Sequence, residues 1–84
     1  RADAFLVLPG GLGTLDELFE VWTTATLGLH GKRIVLLNQD GFFEGLLAWL
    51  DGLVKAGFVP PTARSAVRVV ATVQDALDAL EDFG

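Results

Sequence analysis

Hydrophobic residues in this chain follow two kinds of pattern. Continuous apolar runs occupy residues 4–8 and 34–37, and a weaker one occupies residues 67–71. Such runs are typical of parallel strands that are covered on both faces. The segments after each run repeat apolar residues every three or four positions, which predicts helices. We therefore predict an α/β fold made of three βα units, with a parallel sheet and flanking helices.

The predicted helices begin and end at local signals. The first starts at Leu15 and stops at Gly28 or Gly31. The second covers residues 43–54 and stops near Gly57. The third covers residues 73–83, with Thr72 as its N-cap.

Crossover handedness gives an expectation about the faces of the sheet. Parallel crossovers are right-handed, so the first two helices should lie on one face and leave the other bare. An apolar strand does not tolerate a bare face, so we expect a second helical layer from sequence outside this chain or from a partner chain. Together with its abrupt start, this predicts that the chain is a fragment.

Composition excludes several classes of protein. The 84 residues are 51% hydrophobic, which suits one compact domain, and the net charge of -5 with six Lys and Arg argues against binding to nucleic acid or to anionic membranes. With no cysteine and one histidine, neither a disulfide framework nor a zinc site is expected. No apolar run approaches the roughly 18 residues of a membrane span. We expect a soluble, cytoplasmic protein.

The segment PGGLGTLDE, residues 9–17, follows the first strand and leads into the first helix. This is the carboxyl edge of the sheet, where open α/β folds bind ligands. Glycines allow close approach of a ligand, and free amide groups at a helix start attract anions. It is neither a Walker loop nor a dinucleotide fingerprint, whose third glycine position here holds Asp16. The candidate phosphate-binding residues are Gly10, Gly11, Gly13 and Thr14.

Acidic side chains next to this loop have two interpretations. Thr14 and Glu17 have the spacing of a capping box, in which they only satisfy the amide groups of the helix start. Glu20 and Thr24 extend a polar stripe one and two turns further, which places two carboxylates at the rim of the loop. Two acids would repel a polyphosphate, so this second interpretation predicts a ligand with one phosphate and a hydroxyl-rich part, such as a sugar phosphate.

The same nine residues resemble the PGGxGTxxE signature of the LONELY GUY (LOG) family, cytokinin-activating phosphoribohydrolases formerly called lysine decarboxylases. Further similarity to the family occurs, in order, at residues 2–5, 27–30, 32, 36–38, 40–43, 57–58 and 62–64. The resemblance covers essentially the whole chain but only the C-terminal half of such a protein. It implies that residues 1–84 are a single partial domain, the C-terminal half of a Rossmann-like domain.

The resemblance also implies an activity. LOG proteins hydrolyse the N-glycosidic bond of a nucleoside 5'-monophosphate, giving free base and ribose 5-phosphate. The resemblance implies that Glu17 is the catalytic carboxylate beside the ribose. Glu20 is our choice for a contact with ribose or water. A homodimer is implied, and no metal or organic cofactor is required. Phosphate binding is implied for the glycine-loop residues Gly10, Gly11, Gly13 and Thr14.

The chain departs from the family pattern at one point, and other functions are compatible with its sequence. The catalytic arginine of the family lies upstream of the matched segment, and Arg1 is too close to the strand to replace it, so we expect the 84 residues alone to be inactive. The alternatives are a non-catalytic nucleotide or cofactor carrier on the same scaffold and a purely structural α/β module. A lysine decarboxylase is rejected, because no lysine context for pyridoxal phosphate is apparent.

Several other residues have simpler interpretations. His30 is assigned a structural or surface role, on the edge of the sheet opposite the ligand site. Trp22 and Trp49 are expected to pack in the core or an interface, with base stacking as the alternative. Residues 40–43 read as a turn and helix start that could border a base pocket. Arg64 is assigned a structural or interface role.

Overall fold

The fold is a three-stranded parallel sheet with helices on both faces. The computed structural model describes residues 4–26 and 33–82. Along the chain these form β1 (Ala4–Val7), α1 (Leu12–Thr26), β2 (Arg33–Leu37), a 3-10 turn (Gln39–Gly41), α2 (Glu44–Ala56), α3 (Pro61–Ser65), β3 (Val67–Val70) and α4 (Val73–Asp82). The strand order is β1-β2-β3, with Phe5 opposite Ile34 and Ile34 opposite Val67. The predicted Rossmann-like α/β fold with three βα units is confirmed.

The main core lies between the sheet and the helices α1 and α2. It is built on alternate residues of the strands, because successive side chains of a strand point to opposite faces. Helix α2 contributes Leu47 and Leu50, and Phe43 at its N-cap is 2% exposed. The buried members are Val7, Leu18, Trp22, Ile34, Leu36, Phe43, Leu47, Leu50 and Val67.

The opposite face of the sheet is not bare, which corrects the expectation from crossover handedness. There Val35 is buried against Ala76 and Ala79 of α4. The handedness rule applies to helices that join two parallel strands, whereas α4 follows the last strand and is free to pack on the other face. This cover is incomplete, because Leu6, which pairs with Val35 in register, is 38% exposed.

Helix ends largely follow the sequence signals. Thr72 caps α4 as predicted, since its Oγ1 accepts the Asp75 N–H at 3.1 Å. Helix α2 stops at Gly57, whose φ of 88° is left-handed and whose N–H donates to the Leu53 and Val54 carbonyls. The one-turn helix α3 was not predicted. It starts with Pro61, which is tolerated in the first turn of a helix.

The two tryptophans differ in role. Trp22 is 6% exposed, and its Nε1–H donates to the Ala63 carbonyl of α3 at 2.7 Å, so its predicted packing role is confirmed. Trp49 is 60% exposed, so it does not pack in the core of this chain, and its packing in an interface stays a prediction. It lies away from the α2 face that buries Leu47 and Leu50. His30 lies outside the described residues.

Candidate active site at the glycine loop

The glycine loop joins the carboxyl end of β1 to α1. The Leu15 N–H donates to the Gly11 carbonyl at 3.2 Å, so Gly11 occupies the N-cap position of α1. By helix geometry, the N–H groups of Leu12, Gly13 and Thr14 have no acceptor within the helix. Gly11 and Gly13 are exposed, and a Cβ on either would meet nothing within 4 Å. The loop therefore presents open backbone amides at the ligand edge, an arrangement that suits an anion.

Helix α1 begins three residues before the predicted start at Leu15. Thr14 therefore lies inside the first turn rather than at the N-cap, and the first turn contains no acid. A capping box requires Thr14 at the N-cap, so that interpretation of Glu17 is wrong. A glycine costs a helix only about 1 kcal/mol relative to alanine. Burial of Leu18 and Trp22 on the same helix outweighs this cost.

Gly10 is required for space rather than for an unusual backbone angle. A Cβ placed on Gly10 would lie 2.2 Å from Thr14 Oγ1 and 3.1 Å from Thr14 Cβ. The Thr14 hydroxyl thus rests directly against the backbone of the loop. This contact fixes the hydroxyl next to the open amides of the helix start.

Thr14 and Glu17 line one groove between α1 and the outer edge of β1. The groove has a volume of about 330 Å³. Glu17 is exposed, and it follows Thr14 by three residues, so the two side chains lie on one face of the helix. The remaining walls are apolar and consist of Phe5, Leu6, Val7, Leu8, Leu18 and Val21. One concavity thus combines a hydroxyl, a carboxylate and an apolar wall.

Glu20 is placed differently from Glu17. It is exposed one turn further along α1 and does not line this groove. The Thr24 hydroxyl donates to main-chain carbonyls of its own helix, at 2.9 Å to Val21 and 3.1 Å to Glu20. The structure therefore brings Glu17 together with Thr14, while the predicted pairing of Glu17 with Glu20 in one site is not seen in the groove.

A second loop at the same edge of the sheet is held by Asn38, which sequence reasoning missed. Asn38 is 9% exposed, and its Oδ1 accepts the Phe43 N–H at 2.6 Å. Its Nδ2 donates to Glu44, and its own N–H donates to the Val70 carbonyl at 2.7 Å. A polar residue directly after a buried strand was the available signal. The predicted turn and helix start at residues 40–43 is confirmed, with Asp40 at a φ of 55°.

Metal ligands are not assembled in the described part of the chain. No group of three or more His, Asp or Glu side chains within residues 4–26 and 33–82 could hold a metal ion. Within the same residues, no helix is both long enough and apolar enough to cross a membrane.

Comparisons with known proteins show the family of this chain. The family model described as "Possible lysine decarboxylase" matches residues 1–80. A cytokinin riboside 5'-monophosphate phosphoribohydrolase of Mycobacterium tuberculosis is 57% identical over 79 residues, which are 94% of this chain and 42% of that protein. A probable enzyme of the same name from Oryza sativa subsp. japonica is 47% identical over 83 residues, covering 99% of this chain and 39% of the relative.

A third relative, a cytokinin riboside 5'-monophosphate phosphoribohydrolase of Arabidopsis thaliana, is 46% identical over 83 residues, again 99% of this chain and 39% of the relative. The chain thus spans about two fifths of the length of the curated relatives it matches. The matched segment contains the whole glycine loop and the Thr14–Glu17 pair. The chain belongs to the family described as possible lysine decarboxylase, the family of the LOG phosphoribohydrolases that its signature resembles.

Proposed function

We propose that the protein containing this chain hydrolyses the N-glycosidic bond of cytokinin riboside, or more broadly purine nucleoside, 5'-monophosphates to free base and ribose 5-phosphate. The observation that carries the proposal is that Thr14, at the open start of α1, and Glu17 line the same groove. The names of the relatives support it, since they are called phosphoribohydrolases. Those names also favour this activity over a lysine decarboxylase.

The start of α1 is proposed to bind the phosphate. Amide groups at a helix start attract an anion, and the dipole of α1 adds to this attraction. The exposed glycines Gly11 and Gly13 let the phosphate approach the main chain, while Gly10 leaves room for the Thr14 hydroxyl to donate to it. A nucleoside with a single phosphate fits best, because the acids further along the helix disfavour additional phosphates.

Glu17 is proposed as the catalytic carboxylate. When the bond between C1' of ribose and the base nitrogen breaks, its electron pair leaves with the base and positive charge develops on the sugar ring. A carboxylate beside the ring stabilises this charge or orients the water that adds to C1'. The water oxygen bonds to C1', and its proton is passed on towards the departing base. Glu20 is proposed to contact ribose or water, and none of these steps requires a metal or an organic cofactor.

The domain around this site, the location and the oligomeric state of the complete protein are also proposals. We infer from the resemblance that the chain is the C-terminal half of a Rossmann-like domain, that the complete protein is a cytoplasmic homodimer, and that these 84 residues alone are inactive. The alternative is a carrier that binds the nucleotide without cleaving it. Such a carrier would use the glycine loop but would not need Glu17.

The decisive test is Glu17→Gln in the complete protein, assayed for release of adenine or cytokinin from the monophosphate. We expect kcat to fall by about 100-fold or more, with ligand binding retained, because glutamine keeps the size of the side chain but removes its charge. Asp16→Asn is the matched control, since it removes a neighbouring charge that does not line the groove. It should keep the wild-type rate.

Three other results of these experiments would contradict the proposed function. A wild-type rate in Glu17→Gln would end the catalytic assignment of this residue. Binding of AMP without hydrolysis by the wild-type protein would favour the carrier. If AMP does not protect the glycine loop from hydrogen exchange, the loop is not a ligand site at all.

A further inference from the structure

The groove beside the glycine loop has two ends that differ in chemistry. Helix α1 follows β1 and leads to the parallel strand β2, so it runs back along β1 from the carboxyl edge of the sheet. Leu8 and Thr14 therefore lie at the loop end of the groove. Phe5 and Val21 lie at its far end. The strand from Phe5 to Leu8 and the helix from Thr14 to Val21 each span about 10 Å, so the two walls have the same length.

Val21 continues the face of α1 that carries Thr14 and Glu17. Residues three and four positions apart on a helix are neighbours on its surface, and Val21 follows Glu17 by four positions. It is half-buried and lines the same groove. Along the helix the groove thus presents a hydroxyl, a carboxylate and an apolar side chain. A nucleoside monophosphate has its phosphate, ribose and base in the same order, so a phosphate at Thr14 and a ribose at Glu17 bring the base to Val21.

The far end of the groove suits the faces of a planar ring. Among the described residues that line the groove, only Thr14 and Glu17 have polar side chains. Opposite Val21, the side chain of Phe5 is 37% exposed and lies on the α1 side of the sheet, where its register partner Ile34 is part of the core. Aromatic and apolar side chains bind a base through its faces, a mode of contact that every base allows.

The tryptophans, which the sequence left open for base stacking, do not compete for this role. No tryptophan is among the described residues that line the groove. Trp22 is turned towards α3, where its Nε1–H donates to the Ala63 carbonyl at 2.7 Å. We propose that Val21 is a specificity-determining residue, whose side chain contacts the base of the bound nucleotide opposite Phe5. The inference rests on the proposed function for the positions of phosphate and ribose.

A comparison of AMP with ribose 5-phosphate, which lacks the base, tests this assignment. Binding of both ligands is measured with the complete protein in the Glu17→Gln background, so that AMP is not consumed. Val21→Ala removes two methyl groups from the wall and is expected to weaken AMP binding about 3- to 10-fold. Ribose 5-phosphate should bind within about 2-fold of its original affinity, because it does not reach residue 21. Val54→Ala is the matched control, since Val54 is a half-buried valine of α2 that does not line the groove, and it should change neither affinity.

A second variant fills the far end instead of emptying it. Val21→Phe is expected to weaken AMP binding at least about 10-fold and to leave ribose 5-phosphate binding unchanged, because the added ring occupies the space of the base. Unchanged AMP binding in both Val21 variants, or equal weakening of the two ligands, would overturn the inference. AMP binding that depends on Val21 in a protein without hydrolase activity would refute the proposed function alone. Hydrolysis of AMP by a protein whose AMP affinity does not respond to Val21 would refute this inference alone.

Discussion

Replacing Gly10 with alanine is the most direct perturbation of the site, because the structure specifies which atom the new methyl group meets. The added Cβ would lie 2.2 Å from Thr14 Oγ1, whereas Cβ atoms essentially never approach another heavy atom within 3.0 Å. Thr14 must therefore move. Threonine in a helix has only two accessible χ1 rotamers, so the hydroxyl has to turn away from the loop or the loop has to shift.

The size of the effect follows from this contact. Forcing a methyl group into an occupied space costs about 1–3 kcal/mol of folding free energy. If the hydroxyl turns away, the proposed phosphate site also loses a hydrogen bond to a charged group, worth about 1.5–3 kcal/mol. This corresponds to a roughly 10- to 150-fold rise in KM for the monophosphate. Gly13→Ala should not reduce the stability of the free protein, because no atom lies within 4 Å of the added Cβ.

A double-mutant cycle isolates the contact. Thr14→Ala removes Oγ1 and leaves Cβ of residue 14, 3.1 Å away, as the nearest neighbour of the added methyl group. We therefore expect Gly10→Ala to cost less in the Thr14→Ala background than in the wild type, by about 1 kcal/mol or more in urea unfolding of the complete protein. Equal costs in both backgrounds, or no cost in the wild type, would refute the reasoning from this contact.

Two further substitutions have matched controls in urea unfolding of the complete protein. Trp22→Phe removes the indole hydrogen bond to the Ala63 carbonyl, which keeps only the 3.3 Å bond from the Ala66 N–H, and it leaves a cavity in the core, so it should cost about 1–3 kcal/mol. Trp49→Phe at an exposed site should stay within about 0.5 kcal/mol, and equal effects of the two substitutions would contradict the buried role of Trp22. Gly57→Ala forces a left-handed φ of 88° on a residue with a Cβ and should cost about 1–2 kcal/mol. Gly52→Ala lies inside α2, where an added Cβ meets nothing within 4 Å, and it should instead raise the free energy of unfolding by up to about 1 kcal/mol. A lower free energy of unfolding in Gly52→Ala would show that the added methyl group is not in open space.

The architecture could be predicted because its signals are local. Apolar runs marked the three strands, and apolar residues repeated every three or four positions marked α1, α2 and α4. The missed parts depend on contacts between distant segments. Helix α3 is held by the hydrogen bond from Trp22 to Ala63, two residues 41 positions apart. The buried role of Asn38 likewise depends on β3, whose Val70 carbonyl accepts its N–H.

The side chains of the candidate site were predictable, but their surroundings were not. The signature placed Thr14 and Glu17 one turn apart on a helix after a strand, and the structure keeps that relation. The sequence did not indicate that both would face the outer edge of β1, because this depends on where α1 packs relative to the sheet. For the same reason Glu20, which shares the polar stripe in the sequence, lies outside the groove.

The start of α1 decides what Thr14 and Glu17 can do. With a helix beginning at Leu15, the Thr14 hydroxyl would accept a main-chain N–H and the Glu17 carboxylate would reach back to Thr14, so both side chains would be used in capping. Because Gly11 takes the N-cap position instead, the Thr14 and Glu17 side chains do not cap the helix, and they line the groove one turn apart. Glycine is accepted at an N-cap with a loss of only a few tenths of a kcal/mol relative to Ser or Asp. By letting the helix begin early, the glycines of the signature place the Thr14 hydroxyl and the Glu17 carboxylate along the groove instead of in a helix cap.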